Sequence, residues 1–190
     1  MKFKDLLDAG KAHLEKHPGY APISHPGRMF LQDANPRMMF TLGARWMHHR
    51  LNELGKDSPQ PFNTNINYNF YGYLKYGICL SSACLTTWWL SGYGWPYIPL
   101  SILSFYFLEV QFLFLFPLLI DHASRPIYTG IYTTFKIGPV KCLLTVIPIS
   151  IFMMTGLFWK KDRFRNWYIG CLAILIWYNN EVRNRTSSSL

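Results

Sequence analysis

The sequence predicts an all-α integral membrane protein with about four transmembrane helices, the last short and either spanning or interfacial. Two amphipathic N-terminal helices precede them. Three observations carry this. Half of the 190 residues are hydrophobic and only 15% are charged, where soluble domains average roughly a quarter charged. The apolar residues are segregated: few long runs occur before Tyr73, and most of the chain from there to Tyr178 is apolar. Finally, Trp95 to Asp121 carries one charged residue, Glu109, between Tyr97 and Ile120. That run exceeds the roughly 20 residues a helix needs to cross the hydrocarbon of a bilayer.

Residues 2 to 16 read as the first helix. Phe3, Leu7, Gly10 and Leu14 form an apolar stripe with Leu6 beside it, at the spacing of one helix face. Pro18 and Gly19 stop it, and a proline-rich stretch to Pro36 is expected to be extended and rich in turns. A second amphipathic helix is predicted over 37–54. Phe40, Ala44, Met47, Leu51 and Leu54 lie on its apolar side, and Gly55 suits its cap.

The first span is placed at Leu74 to Tyr93. Gly77, Ser81 and Cys84 share one face and Ser82 and Thr86 form a second polar pair, since small and hydroxyl residues let helices approach in lipid. A turn around Gly92 to Pro96 makes it an antiparallel hairpin with the Trp95–Asp121 helix. A polar loop follows, with Arg125, Lys136 and Lys141, then a third span over Val140 to Trp159 with Pro148 as a kink. The last run, Trp167 to Tyr178, covers roughly half the hydrocarbon thickness. By composition, then, residues 1–72 form a polar and amphipathic extension, 73–180 a transmembrane domain and 181–190 a polar tail.

The formal charge is +9, which suits anionic phospholipids or an acidic partner subunit. No basic stripe or binding motif points to nucleic acid. With four spans, the N-terminal side collects 15 of the 19 lysines and arginines and the other side 4. The split places the N-terminus on the cytoplasmic or matrix side. Lipid or interface contact is expected from Trp88, Trp89, Trp95, Trp167 and Trp177, and from Arg125, Lys160, Lys161 and Arg163. The mixed-charge start is neither a secretory signal nor a good mitochondrial presequence, because Asp5, Asp8 and Glu15 interrupt its basic face.

Glu109 is the first candidate for chemistry. A carboxylate at mid-bilayer is commonly neutral, paired or facing a watery cavity. It reads as a proton-relay group, a general acid, or a helix-positioning group bonded to Ser81, Ser82 or Thr86. With no second acid or base near it in the sequence, the positioning role leads. Asp121 and His122 are candidates for a base or metal ligand, although adjacent helix residues point about 100° apart. The spans contain no histidine and the chain has no CxxCH, so neither haem nor any other cofactor or metal is expected. The four cysteines form no CxxC pair.

Arg125-Pro126-Ile127-Tyr128-Thr129-Gly130 resembles the Arg-His-Pro-x-Tyr-x-Gly stretch of integral-membrane isoprenylcysteine and phospholipid methyltransferases. The resemblance covers some 60 residues and implies an S-adenosylmethionine site involving Arg125 and Tyr128, with Glu181 as its distal acidic group. Ser124 stands where the family has arginine, its histidine is absent, and Asn180-Glu181 replaces an acidic pair. The leading expectation is a non-catalytic accessory subunit of a larger membrane complex, a respiratory or ATP synthase complex of the mitochondrial inner membrane. The alternatives are a small lipid- or isoprenoid-modifying enzyme and a proton-conducting component built on Glu109.

Overall fold

The computed structural model describes residues 2–17, 38–55, 61–156, 158 and 164–183. Most of these residues are helical, with no strand among the described residues. In chain order the helices are α1 Phe3–Lys16, α2 Met39–Leu54, α3 Tyr68–Ser91, α4 Leu100–Gln111, α5 Leu115–Ile120, α6 Pro126–Ile137, α7 Pro139–Gly156 and α8 Arg165–Tyr178. A short 3-10 turn at Trp95–Tyr97 precedes α4, and a π-type turn at Asn179–Arg183 follows α8. The proline-rich stretch after Pro18, the basic cluster Lys160, Lys161 and Arg163, and the tail from Asn184 lie outside the described residues.

The chain folds as two units: 1–63 with 145–190, and 64–144. Composition drew its boundaries at 72 and 180, whereas these units divide after residues 63 and 144. The apolar stretch 145–178 belongs with the N-terminal helices.

In the first unit, α1 packs along α8. The buried row of α1 is Leu6 and Gly10, while Phe3 stays 42% exposed, so the packed face is rotated from the stripe the sequence suggested. Gly10 explains the rotation. A Cβ there would sit 2.8 Å from the Ile169 carbonyl oxygen and 3.2 Å from the Ala173 nitrogen. Only a residue without a side chain lets the two backbones approach so closely. On another side of α8, a Cβ on Gly170 would run into Met153 of α7. Helix α8 is thus a core helix: Ile169, Leu172, Leu175, Trp177 and Tyr178 are all buried. Trp177, expected at a lipid interface, is buried because it points into this core.

In the second unit, α3 and α4 pair as the expected hairpin. Helix α3 begins earlier than predicted, at Tyr68, where the Asn67 side chain accepts a hydrogen bond from the Phe70 N–H at 3.0 Å. The run from Trp95 to Ile120 is not one regular helix. It breaks at Phe112–Phe114, where the N–H groups of Phe112, Leu113 and Leu115 reach back only three residues, to Glu109, Val110 and Phe112. Pro117 follows the break, and because its ring lacks an N–H the carbonyl four residues before it, that of Leu113, loses its helical donor. The expected polar loop after Asp121 is the helix α6, with Pro126 at its first turn, a position that tolerates proline.

Among the described residues, two stretches are long and apolar enough to cross a membrane, Trp95–Ile120 and Pro139–Gly156. The other two expected spans are not among them. Helix α3 has the length, at 24 residues, but carries Lys75 and a row of hydroxyl residues. Helix α8 has only 14 residues.

Candidate functional site

Along α3, Lys75, Cys79, Ser82 and Thr86 fall at i, i+4, i+7 and i+11, one face of a helix, and that face meets α4. The Ser82 and Ser104 hydroxyls are 2.7 Å apart, and the Thr86 hydroxyl donates to Ser104 at 3.1 Å and to the Ser82 carbonyl at 2.8 Å. Farther along the seam, the Lys75 ammonium lies 3.8 Å from a Glu109 carboxylate oxygen. It also sits over the Tyr76 ring, 5.1 Å from the centroid. Lys75 is buried and Cys79 wholly so.

The outer surface of the same hairpin is apolar. Leu80, Leu85, Ile102, Leu103 and Phe107 are exposed, and Trp88, Trp89, Tyr93 and Trp95 crowd its turn, with Trp95 86% exposed. The Gly77 and Ser81 face, expected to receive another helix, is not the one α4 uses: nothing lies within 4 Å of where a Gly77 Cβ would be. It opens instead onto a groove of about 560 Å³ lined by Tyr73, Gly77, Ser81, Leu85 and Leu108.

The helix break forms the second polar feature of this unit. Val110 to Ile120 are all buried. The Thr134 hydroxyl of α6 donates to the Val110 carbonyl at 3.2 Å, a second hydrogen bond to an oxygen that also accepts from the Leu113 N–H at 3.1 Å. Gly130, one turn earlier, faces the Gln111 carbonyl. The Gln111 side-chain amide is buried with no hydrogen-bond partner for either atom among the described residues. Buried irregular backbone is the only kind a bilayer tolerates.

A third cluster lies in the first unit, around Glu53 at the end of α2. Its carboxylate receives the Arg50 guanidinium at 2.7 Å, with His49 Nε2 at 3.1 Å and His13 Nε2 of α1 at 3.4 Å. Arg50 is fully buried. It also donates to the His17 carbonyl at 3.2 Å and lies over the Trp46 ring. Burial and the neighbouring His17 lower the His13 pKa, and Glu53 opposes them without prevailing. Burial raises the Glu53 pKa, but the Arg50 hydrogen bond and charge, with His49 and His13, outweigh it and leave it lowered.

The candidates named from the sequence are dispersed. Glu109 takes Lys75 as its partner rather than Ser81, Ser82 or Thr86. Asp121 caps α5, and His122 follows with a left-handed φ of 57°. Arg125 precedes α6 as its N-cap, and Tyr128 is 67% exposed on that helix. Trp88, Trp89 and Trp95 are exposed, and Trp167 is 36% exposed. No group of three or more histidine, cysteine, aspartate or glutamate side chains suited to a metal occurs among the described residues, and the four cysteines are free thiols.

Sequence reasoning missed Lys75 as the partner of Glu109, because it counted Lys75 with the flanking charges rather than inside α3. The signal was there: Lys75 lies seven residues before Ser82, on the Ser82–Thr86 face. The Glu53 cluster was missed too, although His13 and His17, and likewise His49 and Glu53, stand four residues apart on their helices. No protein-family model, curated protein or solved structure matches the chain.

Proposed function

We propose that the chain is an integral membrane subunit without catalysis of its own, held in a larger membrane complex. One observation carries the membrane part: the α3–α4 hairpin is polar within and apolar without. Its hydroxyls and its Lys75–Glu109 pair lie in the seam, while Leu85, Trp88, Leu103 and Phe107 lie outside. Water would reward the reverse, whereas lipid leaves apolar side chains outside at no cost and makes polar contacts between helices useful. The two apolar stretches Trp95–Ile120 and Pro139–Gly156 add the necessary length.

The dispersal of Glu109, Asp121, His122, Arg125 and Tyr128 supports a structural role over an enzyme. The mitochondrial inner membrane is the location we attach to this proposal, on the net charge of +9.

Purification in a mild detergent followed by mass measurement tests the reading. A stable assembly well above the 22.3 kDa of the chain is expected, and a monodisperse monomer would overturn it. Protein released from membranes by alkaline carbonate would contradict the integral part. The Lys75–Glu109 pair favours one second reading, a proton-conducting component. A Glu109→Gln variant that assembles normally yet abolishes proton flux would establish that reading over the structural one.

A further inference from the structure

Helix α6 presents a face that the fold leaves uncovered. Tyr128, Tyr132 and Phe135 stand at i, i+4 and i+7 and are 67%, 58% and 58% exposed. The two tyrosine rings stack at 6.3 Å with an interplanar angle of 13°. Gly130 and Thr134, each two residues on and so about 200° round the helix, are buried against the broken helix. The orientation of α6 is therefore fixed by one face, and the aromatic face is directed away from its own unit.

Two cations flank the aromatic face. Arg125 and Lys136 lie within about 80° of Tyr128 round the helix. Both are exposed, and neither makes an ion pair among the described residues. Lys141 follows shortly after, and no aspartate or glutamate occurs between Asp121 and Asp162. Aromatic rings beside Arg125 and Lys136, on a helix about 18 Å long, match the chemistry of a bilayer's headgroup layer. Amphipathic tyrosine settles there, and each nearby cation attracts anionic lipid.

We propose that α6 lies in the headgroup plane, with Tyr128, Tyr132 and Phe135 toward the acyl boundary and Arg125 and Lys136 on anionic phospholipid headgroups. This rests on the membrane reading above and adds to it the element and the lipid charge. The occupant is lipid because the flanking charge is all of one sign and complements an anionic surface.

The test places a benzophenone amino acid at position 132 in one sample and at position 103, on the outer face of the hairpin, in another. Each full-length protein is reconstituted in bilayers of equal phosphatidylserine and phosphatidylcholine, irradiated and analysed by mass. The expected result is lipid adducts at both positions, with phosphatidylserine in several-fold excess at 132 alone. Substituting Arg125→Gln together with Lys136→Gln should remove that excess. Two cations account for at most roughly a thirtyfold preference.

Adducts to protein at 132, or lipid adducts there with no preference for serine headgroups, would overturn the proposal while lipid adducts at 103 leave the membrane reading standing. Absence of lipid adducts at both positions would overturn the two together.

Discussion

The two units solve opposite packing problems with similar means. In the first, Leu6, Leu51, Leu172, Leu175 and Trp177 are buried, and a charged cluster on Glu53 joins α1 to α2. In the second, the α3–α4 seam holds hydroxyls and a lysine–glutamate pair while leucines and tryptophans face outward. Each has a buried cation with a carboxylate, Arg50 with Glu53 and Lys75 with Glu109. The pairs differ in what surrounds them. Arg50 has a carboxylate at 2.7 Å, a carbonyl and an indole face; Lys75 has a carboxylate at 3.8 Å and a phenol face. The cation in the apolar core thus has a carboxylate at hydrogen-bond distance, whereas the one in the polar seam has a longer, weaker contact.

The largest effect is expected where the ion pair is closest. Arg50→Met should destabilise the first unit by about 3–5 kcal/mol, because it breaks a buried pair and leaves Glu53 without its main partner. Hydrogen exchange should rise in α1 and α2 and leave α3 and α4 unchanged. If exchange rose equally in both units, the independence of the two cores would fail.

In the hairpin, Glu109→Gln should cost about 2–4 kcal/mol in detergent or bilayer, by stranding the Lys75 ammonium. The double variant Lys75→Met with Glu109→Leu should recover most of that loss. A double variant as unstable as the single would mean that the pair does more than neutralise itself.

Gly10→Ala should cost about 1–3 kcal/mol, since the added methyl meets the backbone of α8 rather than a side chain that can turn aside. Gly77→Ala is its counterpart in the other unit and should be neutral by the same measurement, thermal denaturation in detergent, because open space surrounds that position.

Much of this was legible in the sequence, and the reasons it stopped are physical. The hairpin followed from hydropathy and from Gly92 to Pro96, and the amphipathic helices from their periodicity. The break at Phe112–Phe114 was also legible, through Pro117, but an apolar run long enough to span a bilayer drew attention to its length instead. Helix α6 was hidden because Arg125, Pro126, Thr129, Gly130 and Thr133 together read as loop. Its helix is made by packing: Gly130 and Thr134 fit the broken α4–α5 segment, a tertiary fact that local composition does not carry. The Glu53 cluster required knowing that α1 and α2 meet. His13 and Glu53 are 40 residues apart in sequence, and no spacing rule connects them.

Acidity separates the two units next. The pKa of His13 is lowered on folding, so the unfolded chain takes up its proton first. Its contribution is whole above about pH 6.5 and is lost as pH falls toward the lower folded value. The lowered Glu53 pKa acts in the same direction: its contribution is present above its ordinary value and lost below. Protection of α1 amides, corrected for the intrinsic slowing of exchange, should therefore fall between pH 7 and pH 5, and a His13→Gln variant should show a flatter response. An unchanged slope in that variant would remove His13 from the account.

The smallest expected effect tests why the broken helix is tolerated. Thr134→Val keeps the shape of the side chain and removes the donor to the Val110 carbonyl. It should cost about 1 kcal/mol, because the Val110 carbonyl keeps its bond from the Leu113 N–H. Within the second unit the loss should appear as faster exchange across α4, α5 and α6 rather than in α3. Combining it with Pro117→Ala distinguishes two explanations of the break. If the proline alone imposes it, the alanine lets the helix close and the Leu113 carbonyl regain an N–H, and Thr134→Val should then cost less than in the parent. If the cost is unchanged, the packing of Gly130 and Thr134 holds the segment open whatever residue occupies position 117.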